Sequence, residues 1–302
     1  MEDREIELSA GDWTVRTAPW GGALRGATWR GRPVATGYSG RSAKCGGEGD
    51  VLIPFPGRIA GAEYDFNGVR HRLDPTDSGG RHAIHGFVRD LPWEVAGQSK
   101  DAVSYLLAFA GAPGFPFPLE IGLVYRVDAD GLSCATTVRN TGQEAAPVAV
   151  GFHPYFVAGD VSIDDSVLTL PFDSVLEFER LIPTGQVLPV GNAGVDWRGA
   201  KPIGRSVIDN CFLHPMRDDD GLARVTLAGP DHFVEVWMDE AYDYCVLFTG
   251  DTLPDKLRRK ALAIEPMSCG SDAFHHPDWG LRVLAPGESF HGTWGVRARS
   301  AG

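Results

Sequence analysis

The sequence has no excess of positive charge and no long apolar run. Its 302 residues contain 28 Lys plus Arg against 40 Asp plus Glu, a formal net charge of −12. A chain this acidic is unsuited to binding the phosphate backbone of nucleic acids, which needs a basic surface. No apolar segment approaches the ~18 residues of a membrane-spanning helix. We therefore expect no nucleic-acid or membrane partner, and a neutral or cationic small ligand suits this charge better.

Cysteine is scarce, and the motifs of several large enzyme classes are missing. The five cysteines are scattered and contain no CxxC pair, which argues against a disulfide scaffold or a thiolate zinc site. P-loop, GxGxxG, GxSxG and HExxH patterns are absent, so nucleotide binding, α/β-hydrolase chemistry and zinc-protease chemistry have no motif support. The charged N-terminal stretch MEDREIELSAGDW lacks the apolar centre of a signal peptide. We expect a cytoplasmic protein with reduced thiols.

What the sequence does contain is short alternating segments punctuated by 38 Gly and 21 Pro. In EIGLVYRV, residues 120–127, every second residue is apolar, and the alternation resumes at residue 132 after the turn signal ADG. Many short strands of this kind predict an all-β protein, a large antiparallel sandwich or barrel. The Gly/Ser-rich stretch 36–50 is interpreted as a loop, so we expect one domain over residues 1–302.

A histidine stands where one apolar strand is predicted to end. In VAVGFHPYFVAG, residues 148–159, His153 precedes Pro154, which cannot donate a hydrogen bond to a neighbouring strand. His153 would then project from the edge of a sheet among aromatic rings. An imidazole in such a half-dry place can transfer protons near neutral pH. The alternative is a core histidine with one backbone partner.

Three further polar side chains follow predicted strands or turns. Arg58 comes after a Pro-Gly pair and either aims its planar guanidinium at ligand oxygens or lies on the surface. His85 precedes Gly86, where the backbone can approach a ligand closely. A metal shared by His85 and His82 is not supported by any further ligand at a recognised spacing. Asp209, in SVIDNCFLH, either binds a ligand or caps a turn.

A glutamate follows an apolar run that is typical of a buried strand near its end. The stretch ALAIEPMSCGSDAF, residues 261–274, contains this residue, Glu265. Carboxylates are rarely buried without a partner or a task. Glu265 is therefore either a base at the wall of a dry cleft or one half of a buried ion pair, with Arg58 as a candidate partner.

Five motifs occur in the order found in the aldose 1-epimerase (galactose mutarotase) family: GRIAGAEYDFNG, HAIHGFVRDLPWEV, GFHPYF, DNCF and AIEPMSCGSDAF. From Arg58 to Phe274 the chain resembles that family. The resemblance implies a large antiparallel β-sandwich, called a supersandwich, with a sugar cleft on one sheet. It also implies interconversion of the α and β anomers of a free aldose without a cofactor or metal. We expect a small sugar as the partner of a monomer or homodimer.

The resemblance also implies a role for each motif residue. Glu265 matches the general base and His153 the general acid, which we expect to face each other across a gap about one hexose wide. Residues that match the family's sugar-hydroxyl ligands are Arg58, His85 and Asp209. Glu240, in EVWMDE, is the nearest match to a glutamine that the family often places there. Gly57 stands where many members have asparagine, so galactose is not the assured substrate.

Other functions remain open on sequence grounds. A hexose 6-phosphate epimerase would need a basic pocket, for which four arginines are available: Arg30, Arg41, Arg81 and Arg89. A non-catalytic sugar-binding module would keep the fold and bind sugar without accelerating anomerisation. A glycoside hydrolase could use Glu265 and Asp209 if their carboxyl groups lay roughly 5–9.5 Å apart.

Overall fold

The protein is built almost entirely from short strands. The structure, a computed structural model, describes residues 4–159, 161–230 and 232–300. The strands are β1 (Ile6–Ala10), β2 (Trp13–Ala18), β3 (Ala23–Trp29), β4 (Arg32–Ala35), β5 (Val51–Leu52), β6 (Arg58–Ile59), β7 (Glu63–Phe66), β8 (Val69–Arg72), β9 (Ala83–Ile84), β10 (Glu94–Gln98), β11 (Ala102–Phe109), β12 (Leu119–Val127), β13 (Gly131–Asn140), β14 (Ala146–Val148), β15 (Gly151–Phe152), β16 (Tyr155–Phe156), β17 (Val167–Thr169), β18 (Phe172–Glu179), β19 (Ile182–Pro189), β20 (Lys201–Pro202), β21 (Asp209–Pro215), β22 (Ala223–Ala228), β23 (His232–Met238), β24 (Tyr244–Phe248), β25 (Leu262–Met267), β26 (Arg282–Leu284) and β27 (Ser289–Ser300). Single 3-10 turns occur at Arg41–Ala43, Ala60–Ala62, Val88–Asp90 and Ile163–Asp165. In the described ranges no helix is long and apolar enough to span a membrane.

Two large antiparallel sheets account for most strands of the described chain. The first has twelve strands, with the main order β1-β2-β3-β4-β16-β25-β24-β21-β18-β19 and with β15 and β5 attached beside β25. The second has nine strands in the order β10-β11-β12-β13-β27-β23-β22-β17-β20. Three two-stranded ribbons complete the fold: β6–β9, β7–β8 and β14–β26. The predicted all-β antiparallel class is confirmed.

The alternation seen in the sequence sets which side chains enter the core. The hairpin predicted around residues 129–131 forms between β12 and β13, with Val127 opposite Leu132. Every second side chain of both strands is buried, because successive side chains point to opposite faces of a sheet. These buried residues are Ile121, Leu123, Tyr125, Val127, Leu132, Cys134, Thr136 and Val138.

One hydrophobic cluster joins the two sheets. It covers one face of β25, so side chains that could act on a ligand have to lie on the other face. Tyr125 and Trp294 of the nine-stranded sheet share this cluster with Leu262 and Ile264 of β25. The residues that alternate with these two point away from the core, and Glu265 is among them. One domain requires a core that both sheets share. The expectation of one domain over residues 1–302 stays a prediction.

Candidate active site

Glu265 lies inside β25, fourth of its six residues, with Val246 of β24 opposite. Its side chain is only 2% exposed. Its neighbours on the same face of β25, Ala263 and Met267, belong to two small apolar clusters outside the main core. This apolar burial raises the pKa of Glu265 well above its ordinary 4.5, and the charge of Asp209 raises it further. Glu265 is therefore a carboxyl group that holds a proton strongly.

His153 occupies the break between β15 and β16, where the proline following it was predicted to end the strand. Its backbone N–H donates to the carbonyl of Asp50 and its carbonyl accepts from the N–H of Gly49, both at 3.0 Å. The imidazole is 6% exposed and stacks on Tyr155 with 5.1 Å between ring centroids. Burial lowers the pKa of His153 to about 3. The ring is therefore held in place and strongly favours its neutral form.

The two side chains are in direct contact. His153 Nε2 lies 3.4 Å from Glu265 Oε1. The expectation of a hexose-wide gap between them is wrong, because the break after β15 and the neighbouring β25 lie side by side in one sheet. The expected partner also changes, since the ionisable group in contact with Glu265 is the imidazole of His153 and not the guanidinium of Arg58. A sugar would have to present its anomeric centre to both groups from the same side.

His85 stands beside this pair on the short ribbon β6–β9. The N–H of Gly57 donates to His85 Nδ1 over 3.2 Å, and the N–H of His85 donates back to the carbonyl of Gly57 over 3.0 Å. Because Nδ1 accepts a hydrogen bond, the proton of the neutral ring is on Nε2. Burial lowers the pKa of His85 well below 6.5. Its ring centroid is 5.4 Å from that of His153, so a neutral N–H donor lies next to the buried pair.

Arg58 and Asp209 lie on two different strands, β6 and β21. Arg58 begins β6 and is half-buried, and its Nε atom is buried without a hydrogen-bond partner among the described residues. Asp209 begins β21, two strands away from Glu265 in the same sheet. Burial raises the pKa of Asp209, and the charge of Arg58 lowers it. The positive charge of Arg58 is therefore close enough to act on the carboxylate of Asp209.

Glu240 is not brought to this place. It is an exposed residue of the turn that follows β23, a strand of the nine-stranded sheet. Burial raises the pKa of the neighbouring Asp239, and the charge of Glu240 raises it further. His82 also points elsewhere, since its Nδ1 accepts the N–H of Gly61 at 3.0 Å. Within the described part of the chain, no group of three or more His, Cys, Asp and Glu side chains is arranged to hold a metal ion.

The sequence interpretation missed a second buried carboxylate, Asp50. It is 1% exposed, and its carboxylate is paired with Lys44 at 2.7 Å and Arg89 at 3.6 Å. Burial outweighs these cations and raises the pKa of Asp50 to about 6. The signal was present, because Asp50 directly precedes the apolar run VLIPF just as Glu265 follows ALAI. It was hidden within a Gly-rich stretch that indicates a loop.

Comparisons with known proteins identify the family of this chain. A family model described as aldose 1-epimerase matches residues 4–296. The uncharacterized protein YihR of Escherichia coli K12 is 28% identical over 271 residues, which cover 89% of this chain and 85% of that protein. Human galactose mutarotase is 27% identical over 270 residues, which cover 82% of this chain and 77% of that protein.

Solved structures share the fold at lower sequence identity. The GalM/aldose epimerase homologue from C. elegans superposes with a TM-score of 0.89 at 19% identity, covering 99% of this chain and all of that one (100%). The galactose 1-epimerase from Lactobacillus acidophilus has a TM-score of 0.83 at 16% identity, covering 99% and 95%. The predicted galactose mutarotase-like sandwich is thereby confirmed. Since the family match spans nearly the whole chain and the same fold carries the motif residues, this protein belongs to the aldose 1-epimerase family.

Proposed function

We propose that the protein interconverts the α and β anomers of a free aldohexose, with Glu265 as general base and His153 as general acid. The observation that carries this proposal is the buried contact of 3.4 Å between His153 Nε2 and Glu265 Oε1. Burying two ionisable groups next to each other costs folding free energy, so their presence points to a task. Proton transfer at O1 and O5, the two oxygen atoms bonded to C1 of the sugar, is a task that an adjacent base and acid can perform.

The chemistry matches the groups available. Glu265 removes the proton of the C1 hydroxyl, and His153 gives a proton to the ring oxygen O5 as the C1–O5 bond breaks. The electron pair of that bond stays on O5, and C1 becomes an aldehyde. After rotation about the C1–C2 bond, the reverse transfers close the ring as the other anomer. The hydroxyl oxygen and O5 are both bonded to C1, so a base and an acid in contact can reach both.

The pair needs only one proton to be ready for this reaction. A carboxylate beside an imidazolium is the reactive form, and a carboxylic acid beside a neutral imidazole contains the same single proton. Burial favours the neutral form in the free protein, because it raises the pKa of Glu265 and lowers that of His153. Hydrogen bonds from sugar hydroxyls to the carboxylate would then favour the reactive form when substrate is bound.

The neighbouring groups suit a neutral, hydroxyl-rich ligand. His85 offers an N–H donor, Arg58 offers a charged donor with an unpartnered Nε, and Asp209 offers an acceptor. Each hydroxyl of a sugar is both donor and acceptor, so such a mixed set can hold it. We propose that these three side chains bind the sugar and that no cofactor takes part. Glu240, exposed in the turn after β23, is not part of this set.

The arginines considered for a phosphate-binding pocket have other partners. Arg30 is paired with Asp12 at 2.8 Å, and Arg41 stacks on Trp20. Arg89 is paired with Asp50 at 3.6 Å. Guanidinium groups already paired with a carboxylate or stacked on an aromatic ring are weaker candidates for recognising a phosphate group.

Polarimetry tests the proposal directly. Freshly dissolved α-D-glucose and α-D-galactose should reach their equilibrium rotation faster with the protein than with heat-inactivated protein in the same buffer. Glucose 6-phosphate and methyl α-D-glucoside serve as comparisons. Faster equilibration of the phosphate than of either free sugar would point to the phosphate epimerase, and release of reducing sugar from the glucoside to a hydrolase. Sugar binding without any acceleration would refute catalysis.

A further inference from the structure

A glycine-rich segment lies directly on the imidazole of His153. A methyl group added at Gly47 would stand 3.0 Å from His153 Cδ2 and 3.3 Å from both Cγ and Nε2. Cγ and Nε2 are the two ring atoms bonded to Cδ2, so these distances place the methyl group above the ring plane and not at its edge. Only a hydrogen atom at this position lets the backbone lie flat on the ring.

Several hydrogen bonds hold the same segment against the part of the chain around His153 and Tyr155. We call residues 44–50 the His153 clamp. Its contacts with the rest of the chain are Tyr155 Oη to the Gly46 carbonyl at 2.8 Å, the Gly49 N–H to the His153 carbonyl and the His153 N–H to the Asp50 carbonyl at 3.0 Å, and Thr36 to Glu48. Within the clamp, Lys44 is paired with Asp50 at 2.7 Å. Two of these bonds are made by the backbone of His153 itself. Movement of the clamp would therefore move the imidazole.

The clamp also removes water from the acid–base pair. The backbone at Gly47 covers one face of the ring, and Tyr155 stacks against the ring as well. With both in place His153 is 6% exposed, and Nε2 remains directed at Glu265 Oε1. Catalytic groups have to be held within a fraction of an ångström of their productive position, and neighbours that lock their rotamers do this.

We propose that the His153 clamp fixes the orientation of the catalytic imidazole and excludes water from it, which makes Gly47 a positioning residue of the epimerisation. This inference rests on the proposed function, but the placement of the ring can be measured without turnover. Gly47 touches the imidazole and not the sugar in this proposal. Its substitution should therefore lower kcat and leave KM almost unchanged.

The chain provides a matched control for Gly47→Ala. Gly47 and Gly68 both lie in turns and have almost the same backbone angle, φ of 75° and 76°, which alanine rarely adopts. A methyl group at Gly68 would meet nothing within 4 Å, whereas at Gly47 it meets the ring of His153. We expect Gly47→Ala to lower kcat about tenfold, because the ring must shift by a few tenths of an ångström, with Gly68→Ala within about twofold of the wild type.

A milder second variant covers the case in which Gly47→Ala does not fold. Tyr155→Phe removes the hydroxyl that donates to the Gly46 carbonyl and keeps an aromatic ring next to His153. We expect a fall in kcat of about tenfold with KM unchanged, since one tether of the clamp is lost. Equal kcat in Tyr155→Phe and wild type would count against the clamp.

Histidine ¹⁵N NMR tests the proposal about the clamp independently of the proposed catalytic function. In the wild type the His153 ring should stay neutral down to about pH 4, because burial lowers its pKa to about 3. In Gly47→Ala the ring should gain water and titrate closer to the ordinary histidine range. The proposal would be overturned by unchanged His153 signals in Gly47→Ala, by equal losses of kcat in Gly47→Ala and Gly68→Ala, or by a change in KM alone. A wild type without mutarotase activity but with these NMR changes would refute the proposed function and leave the clamp standing.

Discussion

His153 Nε2 and Glu265 Oε1 are 3.4 Å apart on the outer face of the twelve-stranded sheet, and both side chains are buried. Burial disfavours the charged form of each group, so the pKa of Glu265 rises and that of His153 falls. Two groups this close titrate as one unit. The pair therefore holds two protons, one or none, and the form with one proton is the form that the proposed reaction needs.

The first prediction concerns the pH dependence of catalysis. A second proton joins the pair only near the lowered pKa of His153, about 3, and the last proton leaves only at the raised pKa of Glu265. We therefore expect kcat/KM to be level above about pH 4.5 and to fall only where the pH passes the raised pKa of Glu265. Polarimetric rates corrected for the buffer-catalysed reaction measure this. A loss of activity on the acid side with a midpoint near 6.5, the ordinary histidine value, would contradict the shared-proton description.

The second prediction concerns the base. Glu265→Gln keeps the size of the side chain and removes its ability to take a proton, so kcat should fall by about 10²–10⁴-fold with little change in KM. The matched control is Glu120→Gln, an exposed carboxylate on β12 in the other sheet, which should behave like the wild type. If Glu265→Gln were as active as Glu120→Gln, Glu265 would not be the base.

The third prediction concerns stability. A carboxyl group whose pKa is raised in the folded state contributes its full stability below the unfolded value near 4.5 and loses it as the pH rises. Glutamine does not titrate, so Glu265→Gln should be more stable than the wild type at pH 8. Each unit by which the folded-state pKa exceeds the unfolded value contributes about 1.4 kcal/mol to the gain. Urea unfolding at about pH 5 and pH 8 measures the difference, which must grow with pH.

The fourth prediction concerns His85. The N–H of Gly57 donates to its Nδ1 over 3.2 Å, and burial lowers the pKa of the ring. Two-dimensional ¹⁵N–¹H spectra of histidine side chains should therefore show a neutral ring with the proton on Nε2 throughout the range from about pH 5 to pH 8. A ring with its proton on Nδ1, or one that becomes cationic near pH 6.5, would rule out the assigned donor. The side chain of exposed His291 provides an internal reference signal in the same spectra.

Sequence patterns predicted the strands because alternation is a local property. The paired strands β12 and β13 follow from spacing and a turn signal within twenty residues or so. The end of β15 before Pro154 follows from the missing N–H of proline. The partner of Glu265 could not be predicted in this way, because His153 lies more than a hundred residues earlier in the chain. Sequence distance carries no information about which strands become neighbours.

By itself, the sequence determined the all-β class, the order of the family motifs and the chemical types of the candidate site residues. Only the tertiary structure decided that His153 contacts Glu265 side by side, that Asp50 is buried, that Gly47 lies on the imidazole and that Glu240 is in a turn beyond the other sheet. The physical reason is that side-chain type and strand alternation are local properties of neighbouring residues. Contact, burial and pKa depend on strand order and on the loops packed over the sheet, and those arise only when distant segments are brought together.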